Sequence, residues 1–378
     1  MSVDVDRTTC AFCPKLCRHE CPVALAEKTE VATVTFKQQL AQLASAGKVA
    51  LDDESARVFY KCTGCLASRT PCRWEVEVEP SLRDARALAV KQGHAPAEVA
   101  KVRTRFALRG SPYDRDLAKD LGELVPPRSG RKDAPFAFFP ACTSITRYPE
   151  EVVDARLVLE ATARSAAAPD DGVAIVLPDP PCCGYPLDAL GLADEFADHA
   201  RRVARSLAGY SRIVTTGASC AWTLATRYRE VGAPLKGEVV PLVDELARRS
   251  EAIRILRRGK TPAGAPFAYH DPCYLGRHLR RYEEPRAAIA AATGEPPREL
   301  DRNRESAYCS GAGGGYALTH PGPARDIARR ALDAFRRSGA RTLVTACPSA
   351  RRLFEKTDPT IAAVSVISVV ADAVKRPQ

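Results

Sequence analysis

No apolar run in this 378-residue sequence is long enough to cross a bilayer. The longest, Ile361 to Val370, is about half of what a membrane span needs and is broken by Ser365 and Ser368. The opening residues, MSVDVDRTTC, have neither a cationic n-region nor an apolar h-region, and so predict no secretory signal. Aromatic residues are scarce at 6%, and no basic run is interleaved with them, which argues against nucleic-acid binding. A dinucleotide loop is also missing. The run Gly311-Ala312-Gly313-Gly314-Gly315 puts Tyr316 where the third glycine should fall. With no flavin or nicotinamide motif, hydride chemistry on an organic substrate falls to a partner.

What remains is an ordinary globular composition, 45% apolar and 27% charged, in a chain long enough for two or three domains. The formal charge of +10 is carried by scattered arginines, as in Arg201-Arg202, Arg257-Arg258, Arg280-Arg281 and Arg329-Arg330. A solvated surface accounts for them; docking to an acidic redox partner is the sharper alternative.

Cysteine is the residue in excess. Fourteen occur, seven of them within the first 72 residues. In a cytoplasmic setting, where thiols stay reduced, clustered cysteines read as metal ligands more than as disulfides. The first run is Cys10-x2-Cys13-x3-Cys17-x3-Cys21-Pro22, followed by Cys62-x2-Cys65-x6-Cys72. Each is close to the C-x2-C-x2-C-x3-C-P run, whose fourth cysteine ligates the other of two iron–sulfur clusters. By that crossed pattern, Cys10, Cys13, Cys17 and Cys72 hold one [4Fe-4S] cluster. Cys62, Cys65 and Cys21 hold a second, with Ser68 at the fourth position. There Ser68 ligates through oxygen, or the iron at that corner is labile or absent, leaving a three-iron or weak cluster. Structural zinc is the alternative, but it needs only four cysteines, usually as two C-x2-C pairs.

Residues 1–100 form this cysteine unit, with helices expected over Val34 to Gly47 and Pro80 to Gln92. Residues 101–134, rich in charge, Gly and Pro, read as a linker. From Phe136 the sequence repeats itself. PFAFFPACTS (135–144) matches PFAYHDPCYL (266–275), and PPCCGYPLDALG (180–191) matches AYCSGAGGGYAL (307–318). RIVTTGASCAWTL (212–224) matches RTLVTACPSARRL (341–353), and VVPLVDELA (239–247) matches VSVISVVADA (364–373). Short β-rich runs alternate with helical segments such as Ala193–Leu207 and Ala324–Arg337, which predicts parallel α/β domains over 135–250 and 264–378. Their cysteines fall where strands give way to loops, the usual ligand position of an open α/β sheet. Repeat one has Cys142, Cys182, Cys183 and Cys220; repeat two has Cys273, Cys309 and Cys347. Buried structural thiols are the bland alternative. His270-Asp271 ahead of Cys273 reads either as a relay or as a packed strand end, and His19 as a loop residue.

The order C…CCG…CxxC, twice, resembles the CCG domains of the heterodisulfide-reductase family. The most specific pieces are PPCCGYP, YHDPCYLGRH (269–278) and CSGAGGG (309–315). The preceding unit resembles the ferredoxin-type part of that family's iron–sulfur subunits. Relatives of this build serve anaerobic glycerol-3-phosphate dehydrogenase, glycolate oxidase and lactate-utilisation complexes. The resemblance implies an α/β fold: a mainly helical two-cluster ferredoxin-like domain followed by two CCG domains. Complete CCG domains use five cysteines for a noncubane iron–sulfur centre. Here repeat one keeps four, with Gly217 at the missing position. Repeat two keeps three, with Ser310 and Ala350 as losses, so a noncubane centre is expected in repeat one if in either. The implied role is an iron–sulfur subunit of an oxidoreductase, cytoplasmic or peripheral at the inner face of the membrane. It would carry electrons between a flavin-containing dehydrogenase, membrane cytochrome or quinone-linked partner and a disulfide or quinone-linked acceptor. A redox sensor or assembly module with degenerate sites is the competing class.

Overall fold

The computed structural model describes Cys10 and residues 13–125, 136–163, 173–175, 178–259 and 261–375. Before Phe136 the described residues form helices and loops with no strand. The expected helices are there. Val34–Ser45 begins at Thr33, whose side chain accepts from the Phe36 amide, and Val78–Gln92 ends at Gly93 in the left-handed conformation. The helix Asp53–Phe59 between them starts with a capping box of Asp52 and Ser55. The stretch expected as a linker differs. Helices Ala97–Arg109 and Leu117–Leu124 occupy much of it, burying Val99, Val102, Phe106, Leu117 and Leu121. Apolar residues at helical spacing outweigh the charged, Gly/Pro-rich composition of that stretch. Residues 126–134 lie outside the described part.

The rest is two sheets of one design. In the first, β1 (Phe136–Phe139), β2 (Val173–Ile175), β3 (Arg212–Thr215) and β4 (Glu238–Pro241) run in the order β2-β1-β3-β4, all parallel. In the second, β5 (Phe267–His270), β6 (Arg298–Glu299), β7 (Thr342–Thr345) and β8 (Ala363–Ser365) repeat it as β6-β5-β7-β8. Identical strand order bears out the repeat, and the helical N-terminal unit with parallel α/β domains bears out the fold class. The central strands are buried on both faces, as the run FAFF requires of a parallel sheet flanked by helices.

Cysteines sit where strands turn into helices. Cys142 opens the helix Cys142–Arg147 just after β1, and Cys347 caps Pro348–Thr357 just after β7. The three cysteine-bearing parts close on one continuous core.

Buried cations pin the junction. The guanidinium of Arg86 donates to the carbonyls of Phe59 (2.9 Å) and Cys62 (3.1 Å) in the N-terminal unit, Ala189 (2.5 Å) in repeat one and Gly314 (3.1 Å) in repeat two. Arg277 donates to the carbonyls of Cys65 (2.5 Å), Glu305 (3.0 Å) and Ala307 (2.9 Å). The glycine run that lacks a dinucleotide pattern is part of the same junction. A Cβ on Gly314, at φ +62°, would lie 2.3 Å from the Cys62 carbonyl, and one on Gly313 would lie 2.4 Å from that of Thr63. These glycines let the second repeat touch the cysteine loop backbone to backbone.

Candidate functional site

The thiols of the first N-terminal set are near enough to influence one another's ionisation. Burial raises the Cys10 thiol pKa, with Cys72 and Cys13 adding to it. The Cys17 thiol is pushed up to about 11, first by burial and then by Cys21, Cys13, Cys10 and Cys72. Neighbouring thiols oppose one another's ionisation, and a positive centre beside them would favour the thiolate form.

The second set lines one small cavity, where Cys21, Cys62 and Cys65 meet Ser68, the residue at the expected fourth position. Sequence reasoning missed the cation there. Lys37 is fully buried, donates to the Lys61 carbonyl at 2.6 Å and reaches within 3.9 Å of the Cys21 sulfur. It lies on the buried stripe of its helix, among Val34, Gln38 and Ala41. A lysine on an apolar stripe was the available signal.

Repeat one brings its four cysteines together. Cys142, Cys182, Cys183 and Cys220 are all buried, and the Cys142 and Cys182 sulfurs lie 3.7 Å apart. Hydrogen bonds from Cys182 and Cys220 draw the Cys183 pKa well down, while Cys182, bonded to Cys142, is raised. A Cβ at Gly217 would lie 2.6 Å from the Cys220 sulfur, so a side chain at the position of the missing ligand requires the Cys220 thiol to move.

Repeat two does not gather its three. Cys309 is hydrogen-bonded to Cys273 and to Cys65 of the N-terminal unit, and its sulfur donates to the Thr63 hydroxyl at 3.5 Å. Cys347 instead faces the repeat-one thiols, lining with them a cavity of about 560 Å³ at the carboxyl ends of the strands. The expected set of Cys273, Cys309 and Cys347 is therefore divided. Motif position fixes where each cysteine leaves its strand, and domain packing decides which neighbours it meets.

His270 is a packed strand-end residue. Buried, it donates from Nε2 to the Tyr308 carbonyl at 3.0 Å and packs edge-on against Phe354. Burial lowers its pKa to about 4, keeping it neutral. Asp271 is occupied by Arg286 through two contacts of 2.8 Å. His19 is exposed. A pair unforeseen in the sequence links the halves: the Tyr185 hydroxyl, on the cavity wall, donates to that of Tyr274 at 2.9 Å and accepts from the Gly314 amide at 2.8 Å.

Among the described residues, no three or more His, Cys, Asp or Glu side chains are arranged to hold a single metal ion. The donors are sulfur-only and spread along loops. Soft thiolates of this kind suit polynuclear iron–sulfur centres.

The fold and these sites define a cysteine-rich protein of two α/β repeats behind a helical cysteine unit. Residues 267–351 match the model of the CCG cysteine-rich domain. The chain is similar over most of its length to heterodisulfide-reductase-type iron–sulfur proteins. It is 27% identical over 341 residues to one component of the fumarate reductase (CoM/CoB) of Methanothermobacter marburgensis, covering 88% of this chain and 64% of that one. It is 27% identical over 307 residues to one component of the dihydromethanophenazine:CoB–CoM heterodisulfide reductase of Methanosarcina barkeri, covering 78% and 71%. It is 24% identical to the EtfAB:quinone oxidoreductase of Syntrophomonas wolfei, covering 70% of this chain and 37% of that one. No helix among the described residues is long and apolar enough to cross a membrane.

Proposed function

We propose that the chain is an iron–sulfur electron-transfer subunit of a modular oxidoreductase. It would work between a flavin-containing dehydrogenase or membrane cytochrome and a disulfide or quinone-linked acceptor. The observation that carries this is the succession of sulfur groups through one core. Cys10, Cys13, Cys17 and Cys72 come first, then Cys21, Cys62 and Cys65. Cys309 and Cys273 follow, and the Tyr274–Tyr185 pair leads on to the cavity thiols. The named activities of the three relatives are all oxidoreductions, which supports the same reading.

Iron–sulfur clusters bound at these thiols would supply one-electron carriers. The chain's residues do the rest. Cys10, Cys13, Cys17 and Cys72 are the ligands we assign to the first cluster. Cys21, Cys62 and Cys65, with Ser68, are those of a weaker second. Cys142, Cys182, Cys183 and Cys220 are those of a centre in repeat one. Lys37 offsets thiolate charge at Cys21, and Arg277 and Arg86 hold the Cys62–Cys65 loop by its carbonyls.

The test is anaerobic purification of the full chain, with iron and sulfide analysis and EPR during reductive titration by a reduced flavoprotein. We expect a brown protein whose [4Fe-4S] signal disappears in Cys13→Ala. A colourless, zinc-loaded protein overturns the proposal. The incomplete sets favour one second reading, a redox sensor, which predicts clusters that are reduced but pass no electrons to an added quinone or disulfide.

A further inference from the structure

Three cations around the second N-terminal site are fully buried and have no carboxylate to answer them. Lys37, Arg86 and Arg277 are 1%, 1% and 2% exposed. Among the described residues, none of the three has an Asp or Glu within ion-pair distance. Lys37 has the Lys61 carbonyl, next to Cys62, and the Cys21 sulfur at 3.9 Å. Arg86 has four carbonyls, that of Cys62 among them. Arg277 has three, that of Cys65 among them. Its Nη2 group has no acceptor among the described residues. Glu79, the carboxylate that lines the Cys21–Cys62–Cys65 cavity, is taken by Arg83 through contacts of 2.8 and 3.1 Å.

A buried cation is costly unless negative charge meets it. Three of them, from three elements, turned on the loops of one set of thiols, match a site of net negative charge. The first N-terminal site has nothing of the kind. Around its cysteines Lys15 and Arg73 are exposed, Arg18 is paired with Glu30, and Arg69 with Glu77. The Cys17 thiol there is pushed up by burial and by four neighbouring thiols. Burial also raises Cys62, but Lys37 and then Arg86 pull it back.

We propose that Lys37, Arg86 and Arg277 hold the reduction potential of the second site above that of the first. This deepens the electron-transfer reading and rests on it. When one electron passes from the first site to the second, the first is oxidised and the second reduced, with no proton moved and no bond broken. Burial alone works against the second site, since a low-dielectric surrounding resists added negative charge. The same dielectric strengthens the attraction of that charge to fixed cations that water does not screen, and net charge is one of the terms that set a cluster's potential. The three residues act through their field on the site and are positioning charges for it.

The experiment is a redox titration of the anaerobically purified full chain, followed by EPR, with iron content measured on each sample. Cys13→Ala removes the first signal and Cys62→Ala the second, which assigns the two waves. In the parent chain the second site is expected to be reduced before the first. Lys37→Gln should lower its midpoint by at least a tenfold change in equilibrium constant, about 59 mV for one electron. Iron content and the first midpoint should stay as they are. The control Arg201→Gln/Arg202→Gln, on the exposed surface, should move neither midpoint. An unmoved second midpoint in Lys37→Gln, or equal shifts at both sites, overturns the proposal. Should Lys37→Gln fail to assemble the second cluster, the parent chain decides, and a first site reduced before the second overturns it. A chain with no cluster signal rejects the electron-transfer reading and this proposal with it. A first signal without a second, or two clusters without the Lys37 shift, rejects this proposal alone.

Discussion

The Cys309 thiol of the second repeat donates to the Thr63 hydroxyl of the N-terminal cysteine loop, 3.5 Å away. Cys65 is hydrogen-bonded to the same sulfur. A cysteine assigned by motif to one domain thus belongs by contact to another. Cys309→Ala is expected to change the EPR signal of the second N-terminal site, whereas Cys347→Ala should leave that signal alone. Identical spectra for Cys309→Ala and the parent chain would show that the contact has no part in the loaded protein.

Ser68 lines the same small cavity as Cys21, Cys62 and Cys65, the three thiols we assign to the second cluster. Ser68→Cys is expected to raise iron per chain by up to one atom and slow bleaching in air. Iron analysis and the decay of visible absorbance check this.

Arg86 serves four buried carbonyls from three parts of the chain. Arg86→Leu leaves them unpaired, and buried unsatisfied groups cost about 1–3 kcal/mol each. A loss of about 3 kcal/mol or more is expected from the shift in the urea midpoint. Gly314→Ala forces a Cβ to 2.3 Å from the Cys62 carbonyl and should cost about 2 kcal/mol or more. Gly322→Ala, with no atom near its Cβ, should be close to neutral.

Burial lowers the His320 pKa to about 4, with Lys61 next in effect. The unfolded chain, with a histidine near 6.5, then binds more protons than the native one as pH falls. The contribution of neutral His320 is therefore full above about pH 6.5 and is lost progressively toward pH 4. Because the ring is only partly buried, we expect about 1 kcal/mol. His320→Gln should lose less stability than the parent chain between pH 7 and 5 in urea titrations of the apo protein.

The legible parts were those written in local order. The repeat from Phe136 showed as matched strings because each copy builds the same strand order. The helix Val34–Ser45 showed in its spacing, and the four repeat-one cysteines in a motif whose parts meet at one end of one sheet. Helices at 97–109 and 117–124 were obscured by charged and proline-rich composition, though their apolar residues keep helical spacing.

The sequence by itself determined which atoms are available: fourteen thiols, their order along the chain, and the loops after strands that carry half of them. Tertiary structure alone decided which thiols meet. Cys347 faces repeat one and Cys309 faces Cys65 because the domain interfaces, closed by Arg86, Arg277 and glycines without a Cβ, bring distant loops within reach. Those contacts are long-range and side-chain specific, and no periodicity encodes them.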